Sequence, residues 1–169
     1  TELALEAGRW LVRSGRFERA VFVDYSQVQA EDARSVAIST IGSVLQRSLI
    51  DADAATEALR ETATLVILDN LEDVKAARTW LPRLVQVGVQ VLLTARRIDW
   101  PLDLGLRRQP LNVFALEESR AYLRQHLPET RVLSKDLDTL AERLWHLPLA
   151  LNLAGRYLAR RPQLTVHKY

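Results

Sequence analysis

The chain has 169 residues, 48% of them apolar, and a formal net charge of +2. That apolar fraction excludes a disordered chain, and the length allows one domain or one domain with a small subdomain. The absence of cysteine excludes disulfide frameworks and thiolate metal sites, and it favours a cytoplasmic protein. No apolar run reaches the roughly 18 residues that cross a bilayer, so no membrane partner is expected.

The basic residues are mixed with acidic ones along the whole chain. Arginine makes up most of the 23 basic residues, a bias typical of a GC-rich genome. The pairs Arg96-Arg97, Arg107-Arg108 and Arg160-Arg161 are scattered, whereas nucleic-acid binding proteins concentrate their positive charge in patches. Nucleic-acid binding is therefore not indicated.

Hydrophobic periodicity predicts strands and helices that alternate over most of the chain. The predicted elements, in chain order, are a helix ending at Ser14-Gly15, a strand at 20–24, helices at 32–47 and 51–61, a strand at 64–68, a helix at 73–85, strands at 89–94 and 111–116, and helices at 117–127, 134–146 and 148–160. Pro128 and Pro148 stand at natural helix boundaries.

The alternation of strands and helices predicts an α/β fold. Its strands are uninterrupted apolar runs, which is typical of a parallel sheet covered by helices on both faces. After residue 116 the helical period continues without a strand. We therefore expect an α/β domain over residues 1–116 and a small all-helical subdomain over residues 117–169.

Ligands of open α/β sheets bind at the carboxyl ends of the strands, and Asp69 is the most informative residue there. It follows the strongest predicted strand directly. An apolar strand that ends in an acid is typical of a Walker B element, in which the carboxylate holds a magnesium ion on nucleotide phosphates. The alternative is an aspartate that caps the next helix or begins a turn.

Three further residues follow the predicted strands. Glu72 is a candidate for positioning an attacking water, or it is a first-turn glutamate that the helix dipole favours. Arg96 is a candidate for contacting a terminal phosphate, and Thr94 could contact the same group. The alternative for Arg96 is a solvated side chain at the end of a strand.

Three segments in order resemble the NB-ARC branch of the STAND family of signalling ATPases. They are Leu65-Val-Ile-Leu-Asp-Asn-Leu-Glu72, Val91-Leu-Leu-Thr-Ala-Arg96, and Leu147-Pro-Leu-Ala-Leu151 with Gly155. The first resembles a Walker B element, the second a strand that ends in Thr-x-Arg, and the third a segment of the helical subdomain. The opening Thr-Glu-Leu-Ala-Leu-Glu-Ala resembles the helix that follows Gly-Lys in this family's phosphate loop.

The resemblance implies a role for each matching residue. Thr1, as the hydroxyl residue of Walker A, and Asp69 would hold Mg²⁺. Arg96 would sense the γ-phosphate of ATP, and Pro148 would contact the adenine base or its surroundings. Proteins of this kind bind ADP in a closed form, open on exchange for ATP, and assemble into oligomers, usually with sensor repeats downstream. The fold would be that of a P-loop NTPase.

The sequence departs from the family pattern at several points. His146 stands where the family commonly has glycine, and Asn70 stands where many members have a second aspartate. The sequence contains no Gly-x-x-x-x-Gly-Lys phosphate loop. In this family the strand before that loop lies between the strands predicted here at 89–94 and 111–116. We therefore expect the native protein to extend upstream by at least a strand and a loop, and to continue beyond residues 160–169.

The leading hypothesis is an ATP/ADP-binding switch module of a signalling protein, at most a slow ATPase. One alternative is an AAA-like ATPase with rapid turnover, which requires a strong catalytic acid beside Asp69. Asn70 argues against that reading, because an amide cannot act as a base. A second alternative is an interaction module that has lost nucleotide binding. An intact Gly-Lys sequence in an upstream phosphate loop would argue against this alternative.

Overall fold

The computed structural model describes residues 1–128 and 132–169, which form two compact units. The first unit is Thr1–Arg107 and the second is Arg108–Tyr169. The division falls inside the loop that the sequence predicts at 96–110. Within the two described stretches, no helix combines the length and the apolar character that a membrane span requires.

The first unit is an α/β domain whose elements alternate as the sequence predicts. The strands are β1 (Arg19–Asp24), β2 (Thr64–Asp69) and β3 (Gln90–Leu93), and the helices are α1 (Glu2–Arg13), α2 (Ala33–Leu45), α3 (Ala52–Arg60) and α4 (Val74–Gln86). A 3₁₀ turn covers Leu102–Leu104. Pro82 lies inside α4 without ending it.

The three strands form a parallel sheet in the order β1-β2-β3. Asp24 pairs in register with Asp69, and Leu68 pairs with Leu93. Because the strands are parallel, their carboxyl ends meet at one edge of the sheet. The predicted α/β fold with a parallel sheet is confirmed, and the candidate residues at the ends of β2 and β3 share that edge.

The central strand β2 is buried on both faces, which explains its continuous apolar sequence. Leu65 and Ile67 pack in a cluster with Ala4 of α1. Val66 and Leu68 point to the opposite face and join the larger core. Successive side chains of a strand alternate between faces, so Asp69 points to the face that α1 covers.

The predicted fourth strand at 111–116 is wrong. Residues 111–115 have no regular secondary structure, and Leu116 begins a helix. Leu111 is 74% exposed and Val113 is 50% exposed, so this apolar run is not buried in a sheet. A strand requires a neighbour for its backbone hydrogen bonds, and the amide of Phe114 instead donates to the carbonyl oxygen of His146 at 3.1 Å.

The second unit contains the three predicted helices, which are confirmed. They are α5 (Leu116–Arg124), α6 (Ser134–Arg143) and α7 (Pro148–Ala159), followed by a 3₁₀ turn at Val166–Lys168. The core of this unit consists of apolar side chains from all three helices, including the fully buried Leu123, Leu137, Leu151 and Leu158.

The turn between α6 and α7 has a left-handed backbone at two residues that are not glycine. Trp145 has a φ of 56° and His146 a φ of 55°. The sequence analysis singled out His146 because the family commonly has glycine there, and a side chain at positive φ has a steric cost of about 1–2 kcal/mol. The imidazole Nδ1 of His146 lies 2.9 Å from the hydroxyl of the buried Ser119, and this hydrogen bond offsets part of that cost.

Gly42 in α2 provides a test of the packing in the first unit. A Cβ atom at this position would lie 2.8 Å from the backbone carbonyl oxygen of Arg47, which cannot rotate away. We therefore expect Gly42→Ala to lower the free energy of unfolding by about 1–3 kcal/mol, although alanine normally favours a helix by about 1 kcal/mol over glycine. Urea denaturation would measure the difference.

Gly8→Ala in α1 is the matched control. Its new Cβ would lie 2.7 Å from the terminal Cδ1 of Ile67 and 3.7 Å from the Cβ of Ala20, and a side-chain terminus can change its rotamer whereas a backbone carbonyl cannot. We expect a smaller change there than at Gly42. A Gly42→Ala variant as stable as the parent protein would contradict this account of the α2 terminus.

Candidate functional site

Asp69 is a fully buried carboxylate that binds two threonine hydroxyl groups. Its side chain is 0% exposed. The Thr94 hydroxyl donates to Oδ1 at 2.6 Å, and the Thr1 hydroxyl donates to Oδ2 at 2.6 Å. The structure therefore brings together three of the predicted site residues.

Three different elements supply this cluster. Asp69 ends β2, Thr94 directly follows β3, and Thr1 is the residue before the first turn of α1. Helix α1 packs on the face of the sheet to which Asp69 points. Residues from three distant parts of the sequence can meet because the strands are parallel and end at the same edge.

The pKa of Asp69 is the result of opposing effects. Burial raises the pKa of a carboxyl group, because it disfavours the charged form. The hydrogen bonds from the Thr1 and Thr94 hydroxyl groups act in the opposite direction, and the pKa of Asp69 lies below its ordinary value. The site therefore contains an ionised carboxylate that water does not reach.

Asn70 connects Asp69 to a second carboxylate, that of Asp24. Its side-chain amide donates to Asp69 Oδ2 at 2.8 Å and to Asp24 Oδ1 at 3.3 Å. Asn70 has a φ of 58°, a conformation that asparagine tolerates better than most residues. An aspartate at this position would add a third carboxylate and would have no N–H group to donate to Asp24 and Asp69.

Asp24 is a residue whose contacts the sequence does not reveal. Besides Asn70, it accepts hydrogen bonds from the amide of Ser26 at 2.8 Å and from the hydroxyl of Ser26 at 3.0 Å. The amide of Ser26, followed by its hydroxyl, holds the pKa of Asp24 below its ordinary value. The available signal was the position of Asp24 at the carboxyl end of a predicted strand, the same position that Asp69 has, but no role was assigned to Asp24 from the sequence.

The loops after β2 and β3 are joined by hydrogen bonds that centre on Thr94. The amide of Thr94 donates to the carbonyl oxygen of Leu68 at 2.9 Å, and the amide of Leu71 donates to the carbonyl oxygen of Thr94 at 3.1 Å. The amide of Asn70 donates to the Thr94 hydroxyl at 3.1 Å. Thr94 therefore fastens the two loops with both its backbone and its side chain.

Glu72 and Arg96 form a second pair at the same edge. Glu72 Oε1 accepts from the backbone amide of Arg96 at 2.9 Å and from its side-chain Nε at 3.2 Å. Glu72 Oε2 accepts from the backbone amide of Arg97 at 3.2 Å. The Arg96 side chain is 94% exposed, so most of its guanidinium group faces solvent.

A cleft of about 280 Å³ lies beside these residues at the carboxyl edge of the sheet. Its apolar lining includes Val28, Ala30, Leu71 and Ala76, and its polar lining includes Tyr25, Glu72 and Arg96. Burial raises the pKa of the Tyr25 phenol, so this group stays neutral near pH 7. The cleft combines an apolar surface with a cationic side chain, as small-molecule sites commonly do.

Pro148 belongs to the second unit, where it is the first residue of α7. Proline is favoured at this position because its missing amide would have no intrahelical partner. The contact of Pro148 with an adenine base stays a prediction.

Thr1 and Asp69 fit a magnesium ion that takes most of its ligands from elsewhere. The hydrogen of the Thr1 hydroxyl is directed at Asp69, which leaves the oxygen lone pairs for a cation, and the adjacent carboxylate supplies negative charge. In residues 1–128 and 132–169, no group of three or more His, Cys, Asp or Glu side chains forms a metal cage. A magnesium ion at this hydroxyl and carboxylate would take its remaining oxygen ligands from water and from a bound ligand.

A scan against models of protein families finds no match, and a search of curated proteins finds no similar sequence.

The hydroxyl group of Thr94 is expected to stabilise the charged form of Asp69. The lowered pKa means that this stabilisation is fully present above pH of about 4, the ordinary aspartate pKa, and is lost as the pH falls through the lower folded-state value. We expect Thr94→Val to cost about 1–3 kcal/mol of unfolding free energy at neutral pH. We also expect the unfolding free energy of Thr94→Val to fall less steeply than that of the parent protein as the pH is lowered. Urea denaturation at several pH values would measure both.

Thr94→Ser is the control, because serine keeps the hydroxyl group and removes only a methyl. Equal stability of the valine and serine variants at neutral pH would show that the hydroxyl does not stabilise Asp69.

Proposed function

We propose that the chain is part of an ATP/ADP-binding molecular switch of the P-loop NTPase class. The observation that carries the proposal is the buried, ionised Asp69 at the carboxyl edge of a parallel sheet, with the hydroxyl groups of Thr1 and Thr94 bound to it. This arrangement offers hard oxygen ligands next to negative charge at the edge where α/β sheets bind ligands.

In this proposal Thr1 and Asp69 hold the magnesium ion of a magnesium–nucleotide complex. When bound, the ion neutralises charge on the phosphate oxygens. The oxygen of the Thr1 hydroxyl would bind the cation, because Asp69 orients that hydroxyl by accepting its hydrogen. Thr94 supports Asp69 from the other side by donating a hydrogen bond to Oδ1.

Arg96 is the proposed sensor of the γ-phosphate. Its Nε is bound to Glu72, while its terminal nitrogens have no partner within the described residues. A guanidinium group presents those nitrogens in a planar fork that matches phosphate oxygens. ATP offers this fork one more phosphate than ADP does, so Arg96 would distinguish the two nucleotides.

We propose that hydrolysis is slow because the polar side chains near Asp69 already take part in hydrogen bonds and are not free to activate water. Asn70 cannot act as a base, and its amide is bound to two carboxylates. Glu72 accepts three hydrogen bonds. A nucleotide switch that hydrolyses slowly works by population shift, in which ADP and ATP favour different arrangements of the protein. Self-association in the ATP form is part of the same proposal.

The direct test is to purify the full-length protein, denature it and identify any released nucleotide by chromatography. We expect stoichiometric ADP. If no nucleotide is released, and none is taken up when ATP and magnesium are added, the proposal is wrong.

Asp69→Ala tests the metal site. We expect it to weaken binding of magnesium–ATP at least tenfold, because it removes the buried charge and the acceptor of the Thr1 hydroxyl. Titration calorimetry with and without magnesium would measure the effect, and circular dichroism would check the fold. Asp103→Ala is the control, since Asp103 is an exposed partner of Arg78. Equal affinities in the two variants would contradict the assignment of Asp69.

Arg96→Ala tests the sensor. We expect the affinity for ATP to fall about tenfold while the affinity for ADP stays within twofold, since only ATP has the γ-phosphate. Arg97→Ala is the control, because the neighbouring guanidinium is bound to Asp99 at 3.1 Å. An equal loss of both nucleotides in Arg96→Ala would exclude a γ-phosphate sensor.

A further inference from the structure

We infer that Glu72 is a positioning residue that fastens the loop of residues 94–97 and orients the Arg96 guanidinium. This inference rests on the proposed function, because Arg96 is the group that would contact the nucleotide. It assigns to Glu72 a different role from that of a base that activates water.

The carboxylate of Glu72 binds two consecutive backbone amides and one side chain. Oε1 accepts from the amide and the Nε of Arg96, and Oε2 accepts from the amide of Arg97. A carboxylate that bridges consecutive amides fixes the path of the backbone between them. Glu72 therefore holds the loop itself and, at the same time, one edge of the guanidinium.

This bonding leaves Glu72 poorly suited to act as a base. Both lone-pair directions of Oε1 are occupied by donors, and Oε2 has one donor. The amide of Arg96 contributes most to holding the pKa of Glu72 below its ordinary value, and the Arg96 side chain and the amide of Arg97 act in the same direction. A base that takes a proton from water needs a free oxygen and a higher proton affinity.

The same bonding prepares Arg96 to bind an anion. A free arginine side chain loses considerable rotamer entropy when it binds. Fixing Nε to Glu72 sets the plane of the guanidinium and leaves its terminal nitrogens directed outward. Part of the entropic cost of binding phosphate is therefore met before the ligand arrives.

The fastened loop also connects Arg96 to the proposed metal site. Two residues before Arg96, the Thr94 hydroxyl donates to Asp69. The segment from Thr94 to Arg97 is thus held at one end by Asp69 and at the other by Glu72. Because one acceptor ends β2 and the other lies three residues later, the spacing between metal site and sensor depends on Glu72.

Glu72→Gln is the informative substitution, since it preserves the size of the side chain. A glutamine has one carbonyl oxygen, and its amide nitrogen is a donor that cannot accept from a backbone amide. At least one of the two backbone hydrogen bonds is then lost. Glu18→Gln is the matched control, because Glu18 is an exposed glutamate just before β1, at the opposite end of the sheet.

The first experiment needs no nucleotide. Hydrogen exchange of the Arg96 and Arg97 amides is followed by NMR in the full-length protein, and their proton shifts are followed through an acid titration. We expect Glu72→Gln to speed exchange at one or both amides at least tenfold, and Glu18→Gln to change neither. In the parent protein both shifts should titrate below the ordinary glutamate pKa of 4.5. Unchanged exchange in Glu72→Gln would overturn the inference.

The second experiment measures the affinities of magnesium–ATP and magnesium–ADP in Glu72→Gln, Arg96→Ala and the double variant. If Glu72 acts through Arg96, the single variants lose ATP preference to a similar extent, about tenfold, and the double variant loses no more than Arg96→Ala alone. Additive losses would overturn the inference, because residues that act as a unit are not additive.

Single-turnover hydrolysis separates the two roles of Glu72. A base is expected to contribute about 10²–10⁴-fold to the rate without affecting ATP affinity. That pattern in Glu72→Gln would overturn the positioning role, whereas weaker ATP binding with a smaller effect on the rate supports it. If the parent protein bound no nucleotide, the proposed function would fail, and amide exchange would still decide whether Glu72 holds the loop.

Discussion

The structure of the first unit depends on how a buried carboxylate is kept charged. A carboxylate that water does not reach is costly unless donors surround it. Asp69 receives hydrogen bonds from Thr1, Thr94 and Asn70. These donors belong to α1 and to the loops after β2 and β3, so satisfying one charge brings three parts of the chain to the same edge. The candidate site is the result of that requirement.

Thr94 and Glu72 connect the loops after β2 and β3 by hydrogen bonds from the buried Asp69 outward to the surface. Thr94 joins the two loops next to the buried charge, and Glu72 joins them again two residues further out. The buried end supplies an ionised oxygen beside a hydroxyl, whereas the outer end presents the exposed guanidinium of Arg96. In the proposed function, one pair of loops would contact the phosphates of a nucleotide at two points. The buried end would do so through a metal ion and the outer end through Arg96.

The second unit is held together by the apolar surfaces of its helices. Its turn between α6 and α7 places Trp145 and His146 at positive φ, where glycine would be less strained. The hydrogen bond between His146 and the buried Ser119 explains how one of these residues is tolerated. A residue other than glycine can thus adopt positive φ when its side chain gains a hydrogen-bond partner in the core.

The sequence by itself determined the α/β class, the seven helices found in residues 1–128 and 132–169, the strands β1–β3 and the position of Asp69 at the end of a strand. These features follow from local hydrophobic periodicity. Only the tertiary structure decided that residues 111–115 are not a strand, since a strand exists only with a partner. The same holds for the contacts of Thr94 and Glu72. Hydrogen bonds between residues more than 20 positions apart depend on which strands become neighbours, and periodicity along the chain carries no information about that.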